Sequence, residues 1–161
     1  MAKKPDPNQE RVIENRKARF EYHISDTLEV GISLRGSEVK SVRSGEVSLG
    51  EGYVVAREAP PTLELLNVNI GEYAASGALG HRPKRARALL AHKKEIRKLA
   101  KQIQVKGMTI VPLKLYFKEG WAKVLIGVAK GKQAHDKRQT IAKRDSDRDL
   151  QRAMSRKPKG W

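Results

Sequence analysis

Residues 123 to 145 read KVLIGVAKGKQAHDKRQTIAKRD, and this stretch decides how the chain is divided. Val124-Leu125-Ile126-Gly127-Val128-Ala129 is an unbroken apolar run of strand length, after which every apolar signal fades into Lys, Arg, Gln and Asp. The junction predicts a folded body closing near Lys130 and a basic tail beyond it. Upstream, a second strand over Met108 to Phe117 is joined to Trp121–Ala129 by Lys118-Glu119-Gly120, a short Gly-containing loop that signals a hairpin.

Further out, the strand signal repeats. Tyr53 to Arg57 and Thr62 to Ile70 read as strands around Pro60-Pro61, a pair no central strand accommodates. Apolar residues alternate at Phe20, Tyr22 and Ile24 and again at Leu28, Val30, Ile32 and Leu34, which predicts two half-buried strands around a turn at Ser25-Asp26. Glu29 then lies on the face opposite Leu28 and Val30. Between these, Ser37 and Gly45 bracket a mixed run as N-cap and C-cap of two helical turns, with Val39 and Val42 inward. Residues 1 to 10, polar and carrying Pro5 and Pro7, read as a flexible leader. Six or seven short strands without regular strand–helix alternation predict a mainly β fold with short flanking helices: a closed antiparallel barrel of the oligonucleotide-binding type spanning residues 11–130.

One segment departs from this pattern. From Lys84 to Lys106 the spacing of Leu89, Ile96, Leu99 and Ile103 predicts one helical stripe, on a helix or helix pair packed against the barrel, and residues 82 to 106 hold ten Lys and Arg against Glu95 alone. Nine net charges on one element repel each other unless an anion compensates them, so the helix is expected to face phosphates. The whole chain carries 34 Lys+Arg and 18 Asp+Glu, a formal +16, which favours a polyanionic partner through counterion release. Cysteine is absent, which excludes disulfides and thiolate metal sites and suits a reducing compartment. No signal peptide or membrane span is evident, so a cytoplasmic, monomeric protein with no membrane partner is expected.

The tail from residue 131 to 161 is expected to be disordered when free. Its Arg144, Arg148, Arg152 and Arg156 recur every four residues and would form one ridge on a helix, suited to successive phosphates once a partner induces folding. His23, His81, His92 and His135 have no metal-ligand spacing, and neither a nucleophile–base triad nor a Gly-rich phosphate loop occurs. A non-enzymatic protein without cofactors is expected. His135-Asp136 beside Lys137-Arg138 suits contact with a base or phosphate. Eight aromatic residues are too few for base stacking to dominate, so the body should read the shape and backbone of a folded RNA.

Several segments carry a resemblance: Asn15-Arg16-Lys17-Ala18, Glu21-Tyr22, Glu29-Val30-Gly31-Ile32-Ser33-Leu34-Arg35-Gly36-Ser37-Glu38-Val39-Lys40-Ser41-Val42-Arg43-Ser44-Gly45, Arg85-Ala86-Arg87-Ala88-Leu89-Leu90 with His92, Val111-Pro112-Leu113-Lys114-Leu115-Tyr116-Phe117, and Gly127 to Arg138. In this order they resemble the SsrA-binding protein family (small protein B), the partners of transfer-messenger RNA in bacterial trans-translation. The resemblance implies a barrel that grips the tRNA-like domain of transfer-messenger RNA and delivers it to stalled ribosomes. It carries RNA contact to Asn15, Glu29, Leu90 and His92. On the residues alone, Leu90 also fits the core side of the helical stripe, Glu29 a solvated strand position, and Asn15 a cap or turn.

For the tail, the resemblance implies a helix in the decoding centre and messenger channel of the small ribosomal subunit. Gly131, Lys132, His135, Asp136, Lys137, Arg138, Ile141, Arg144 and Arg148 are the expected contacts. Gln133 and Ala142 stand where the family usually has Lys, Ala88 and Ala91 where Lys and Leu are common, and Phe20 where His is usual. A basic structural protein of the ribosome, with an equivalent barrel and an rRNA-penetrating tail, is the rival expectation.

Overall fold

The computed structural model describes residues 11–155; the leader and the last six residues, with Arg156 and Trp161, lie outside them. In chain order the elements are β1 (Ile13–Glu14), α1 (Arg16–Glu21), β2 (Tyr22–Ile32), α2 (Gly36–Ser44), β3 (Val47–Ser48), β4 (Tyr53–Arg57), β5 (Thr62–Leu66), β6 (Asn69–Ile70), a 3-10 segment (Ala74–Leu79), β7 (Arg87–Leu90), α3 (Lys93–Gln102), β8 (Met108–Lys118), β9 (Trp121–Gly131) and α4 (Ala134–Ser155). Among the described residues the fold is mainly β with four α-helices, and the chain divides into two compact units, residues 1–131 and 132–161.

Within the first unit, antiparallel pairing runs β8–β4–β5–β7–β2–β9 and returns to β8, so the strands form a ring. The β8–β9 hairpin anchors it. Glu119 and Gly120 both have positive φ (53° and 80°), the turn whose twist matches the flanking strands, and Lys118 pairs with Trp121 across it. Val30, Leu65, Ile110, Leu115, Val124, Ile126 and Val128 fill the core at 3% exposure or less.

A second, smaller cluster explains the unbroken apolar run. Ala18 of α1 packs on Val111, Leu113 and Ala129, with Tyr22, Ile24 and Leu125 at the margin, so part of the hairpin is covered on both faces. Strands covered on both sides lose the alternation that a half-exposed strand shows. Gly127 lies where a Cβ would come within 2.9 Å of both Ile24 and Leu113 side-chain atoms, so the close approach requires glycine.

Three sequence expectations need correction. Residues 20–34 do not form two strands around a turn: α1 absorbs Phe20, and β2 runs unbroken from Tyr22 to Ile32. The Ser25-Asp26 signal is a bulge, where the register with β9 shifts between Ile24 and Asp26. Residues 84–106 are neither one helix nor a helix pair but a strand followed by a helix. Only Lys93–Gln102 is helical, burying Ile96, Leu99 and Ala100, whereas Leu89 belongs to β7. In β7 burial alternates strictly, with Arg87 and Leu89 inward and Ala88 and Leu90 outward. Finally, Thr62 to Ile70 is broken at Asn67, whose φ is 59°, into β5 and β6.

The second unit contains α4, 22 residues long. Asp136 in its first turn and Arg152 in its last complement the helix dipole. Thr140 Oγ1 donates to the Asp136 carbonyl and accepts from Lys132 Nζ, each at 3.0 Å. None of its described side chains is buried, and Ile141, Leu150 and Met154 are exposed.

Candidate nucleic-acid interface

The surface is organised from a buried ion cluster outward. Helix α2 stops at Gly45, whose φ of 79° lets its N–H reach the Ser41 and Val42 carbonyls, and Val42 packs into the core. The expected Ser37 cap is not made: the helix begins at Gly36, and Ser37 Oγ lies 2.8 Å from His81 Nδ1. His81 Nε2 lies 3.0 Å from the Ile70 carbonyl, which can only accept. Nε2 therefore donates to that carbonyl.

One turn into α2, Glu38 is wholly buried against Arg87, itself wholly buried, and Arg85. Arg87 Nε donates to Glu38 Oε2, while its Nη1 and Nη2 donate to the Val68 and Pro83 carbonyls at 2.9 and 3.1 Å. Arg85 donates twice to Glu38 Oε1, at 2.9 and 2.6 Å. Burial alone would raise the Glu38 carboxyl. The hydrogen bonds and charges of Arg87 and Arg85 outweigh it and hold Glu38 below its usual value. Burial lowers the Arg87 guanidinium, partly offset by Glu38.

This cluster revises the charge reading of residues 82 to 106. Arg87 is buried against Glu38 and presents no charge to a partner, whereas Arg85, partly exposed, shares the same carboxylate and leaves the cluster one net positive charge. The other eight cations of the segment are exposed, five of them on α3 from Lys93 to Lys101. The cluster also fixes β7, which carries Leu90 outward with 62% exposure, so the core alternative for Leu90 is excluded. His92 follows as the N-cap position of α3, exposed, its N–H donating to Glu95 Oε2 at 3.2 Å.

Leu90 faces Gly31 on β2, Gly31 faces Lys123 on β9, and Lys123 faces Tyr116 on β8. Two residues along β2 on the same face, Glu29 is exposed. Its Oε2 accepts from Tyr116 Oη, and Lys118 Nζ lies 3.6 Å from Oε1. The structure thus brings Glu29 and Leu90 together on one open face, with His92 just beyond β7. Tyr116, Lys118 and Lys123 join them. Sequence reading missed these three, although the outward phase of Lys114, Tyr116 and Lys118 on β8 was available to find the two that β8 carries.

Asn15 lies elsewhere, at 4% exposure. Its Oδ1 caps α1 by accepting from Ala18 N at 3.1 Å, and its Nδ2 donates to the Leu49 and Pro112 carbonyls at 3.1 and 2.8 Å. Its own N–H donates to the Leu113 carbonyl at 2.8 Å. Asn15 therefore satisfies backbone acceptors where β8 slips register between Pro112 and Lys114.

On α4, Arg144, Arg148 and Arg152 recur at helical spacing, as do Asp145 and Asp149. His135 Nε2 lies 3.1 Å from Asp136 Oδ1, and Arg152 lies 3.9 Å from Asp149.

The SmpB protein family model matches residues 12–156, across both units. The chain belongs to the SmpB family. Relatives named SsrA-binding protein include that of Gloeothece citriformis, 51% identical over 146 residues, covering 90% of this chain and 93% of its own. That of Trichodesmium erythraeum is 49% identical over 155 residues (96% and 98%), and that of Lactobacillus delbrueckii subsp. bulgaricus 55% identical over 141 (88% and 91%). A solved SmpB chain, described by the words "tmRNA-SmpB: a journey to the center of the bacterial ribosome", superposes with a TM-score of 0.66 at 43% identity, over 81% of this chain and 94% of its own. No helix among the described residues of this SmpB family member is long and apolar enough to cross a membrane.

Proposed function

We propose that this chain is a cytoplasmic, non-catalytic RNA-binding adaptor of trans-translation. It binds the tRNA-like domain of transfer-messenger RNA and delivers it to stalled ribosomes. The observation that carries this reading is the family match, which runs through both the ring of strands and α4. The exposed cations of α3 and of the β8–β9 face suit an RNA backbone.

In this reading the ring of strands is an oligonucleotide-binding-type barrel. Glu29, Leu90 and His92 touch the RNA, whereas Asn15 acts at one remove by holding β8 and α1. The segment from Gly131 enters the decoding centre and messenger channel, using Lys132, His135, Asp136, Lys137, Arg138, Ile141, Arg144 and Arg148. A helix with no buried side chain gains little from packing, so the tail is coil-rich in the free protein and fully helical on the ribosome.

The experiment is competition binding of the full-length protein to transcripts of the tRNA-like domain and of a tRNA, paired with peptide tagging in a reconstituted translation system stalled on a truncated message. Strong preference for the tRNA-like domain together with tagging is expected. Equal binding of both RNAs, with the protein stoichiometric in unstalled ribosomes, would instead identify a structural ribosomal protein.

A further inference from the structure

Glu29 is a carboxylate on the open face of a strongly cationic chain, and its surroundings define what it can recognise. Outward alternation on β8 sets Tyr116 and Lys118 on the same face, and Lys123 stands between Glu29's strand and theirs. Tyr116 Oη donates to Oε2, and Lys118 Nζ is 3.6 Å from Oε1. The Tyr116 bond, with help from Lys118 and Lys123, holds the Glu29 carboxyl below its usual value. Burial of the phenol and the bond to Glu29 push Tyr116 up to about 12, so its hydroxyl keeps its proton and remains a donor.

At neutral pH Glu29 is therefore ionised and can only accept. Phosphate oxygens and the acceptor edges of bases, such as guanine N7 and O6, find no donor on it and meet its negative charge. Partners must bring N–H or O–H. Among unpaired bases, guanine alone offers two adjacent donors on its Watson–Crick edge, N1–H and N2–H, matching the two carboxylate oxygens. The Tyr116 bond takes one acceptor site on Oε2 and leaves others on both oxygens. Leu90, exposed beside it, supplies an apolar surface for a base plane, and Lys118 and Lys123 suit the flanking phosphates.

We infer that Tyr116 is a positioning residue that holds Glu29 as an acceptor-only reader of an unpaired guanine in the bound RNA, with Lys118 screening the carboxylate from neighbouring phosphates. The inference rests on the RNA-adaptor reading above and assigns the chemistry of one contact within it.

The test measures the affinity of the full-length protein for a transcript of the tRNA-like domain by fluorescence anisotropy. Glu29→Gln should weaken binding about 10- to 100-fold, the range of a lost bidentate base contact. Tyr116→Phe, which removes only the hydroxyl, should weaken it about tenfold, and the double variant should match Glu29→Gln alone because Tyr116 acts through Glu29. Thermal midpoints should stay within about 2 °C of wild type, since Glu29 is exposed and Tyr116→Phe keeps the half-buried ring. Unpaired guanines are then replaced singly by inosine, which lacks the 2-amino group. One replacement should cost the wild type about tenfold and cost Glu29→Gln nothing. Additive losses in the double variant, or no position at which inosine weakens wild-type binding, would overturn the inference. Failure of the wild type to bind the transcript at all would overturn the adaptor reading itself.

Discussion

The two units of this chain use charge in opposite ways. In residues 1–131 charge is partly internal: Arg87 is buried against Glu38 with Arg85 at the edge of the pair, and the ring of strands closes over an apolar core. In residues 132–161 no described side chain of the helix is fully buried, and all its described cations except the half-buried Lys137 are exposed. A count of Lys and Arg treats the two alike. Their difference is that the first unit closes over an apolar core, whereas no described side chain of the second unit's helix is buried.

The largest expected effect comes from breaking the buried cluster. Glu38→Gln leaves Arg87 charged and without its counterion in the interior, a change that costs about 3–5 kcal/mol when one partner of a buried pair is removed. The thermal midpoint should fall by about 10 °C, read by calorimetry. A loss below about 1 kcal/mol would show that the cluster is solvated and that charge is handled alike in the two units.

The same residue sets an acid limit. Glu38 has a folded-state value below its unfolded one, so its contribution is complete above about pH 4.3 and is lost as pH falls through the folded-state value. The stability gap between wild type and Glu38→Gln should stay constant from pH 7 to about 5 and narrow below about pH 4. A gap that widens on acidification would reverse the sign assigned here.

Next in size is Leu90→Ala. At 62% exposure the loss of stability should be about 0.5 kcal/mol or less, while affinity for the tRNA-like domain falls about tenfold. A large stability loss with unchanged affinity would return Leu90 to the core. Smallest is the tail in isolation. A peptide spanning residues 132 to 155 should show about one-third helix or less by circular dichroism at 25 °C. A strongly helical peptide would mean that the tail is ordered before it meets a partner.

How much of this was legible depended on whether the signal was local. The hairpin was readable because Glu119-Gly120 between apolar runs specifies its own turn. The end of α2 was readable because Gly45 supplies the left-handed cap. The Ser25-Asp26 bulge resembles a turn in one sequence and is distinguished only by the pairing of β2 with β9. Arg87 looked like a surface cation because its partner, Glu38, is 49 residues away in sequence and nothing near Arg87 announces it. Counting Leu89 in a helical stripe hid the period-2 alternation from Arg87 to Leu90, which places Leu90 on the open face. Of the expected RNA contacts, Glu29 was given its outward phase correctly from Leu28 and Val30. Asn15 carried a readable cap signal whose other bonds, to Leu49 and Pro112, are long-range.

The division of labour at Gly131 is tested most directly by one truncated chain ending there, assayed twice. Its affinity for the tRNA-like domain should lie within about twofold of the full-length protein, since the ring of strands and its open face are intact, while tagging on stalled ribosomes should fall to background. Loss of both activities together, or tagging that survives without residues 132 to 161, would contradict the account.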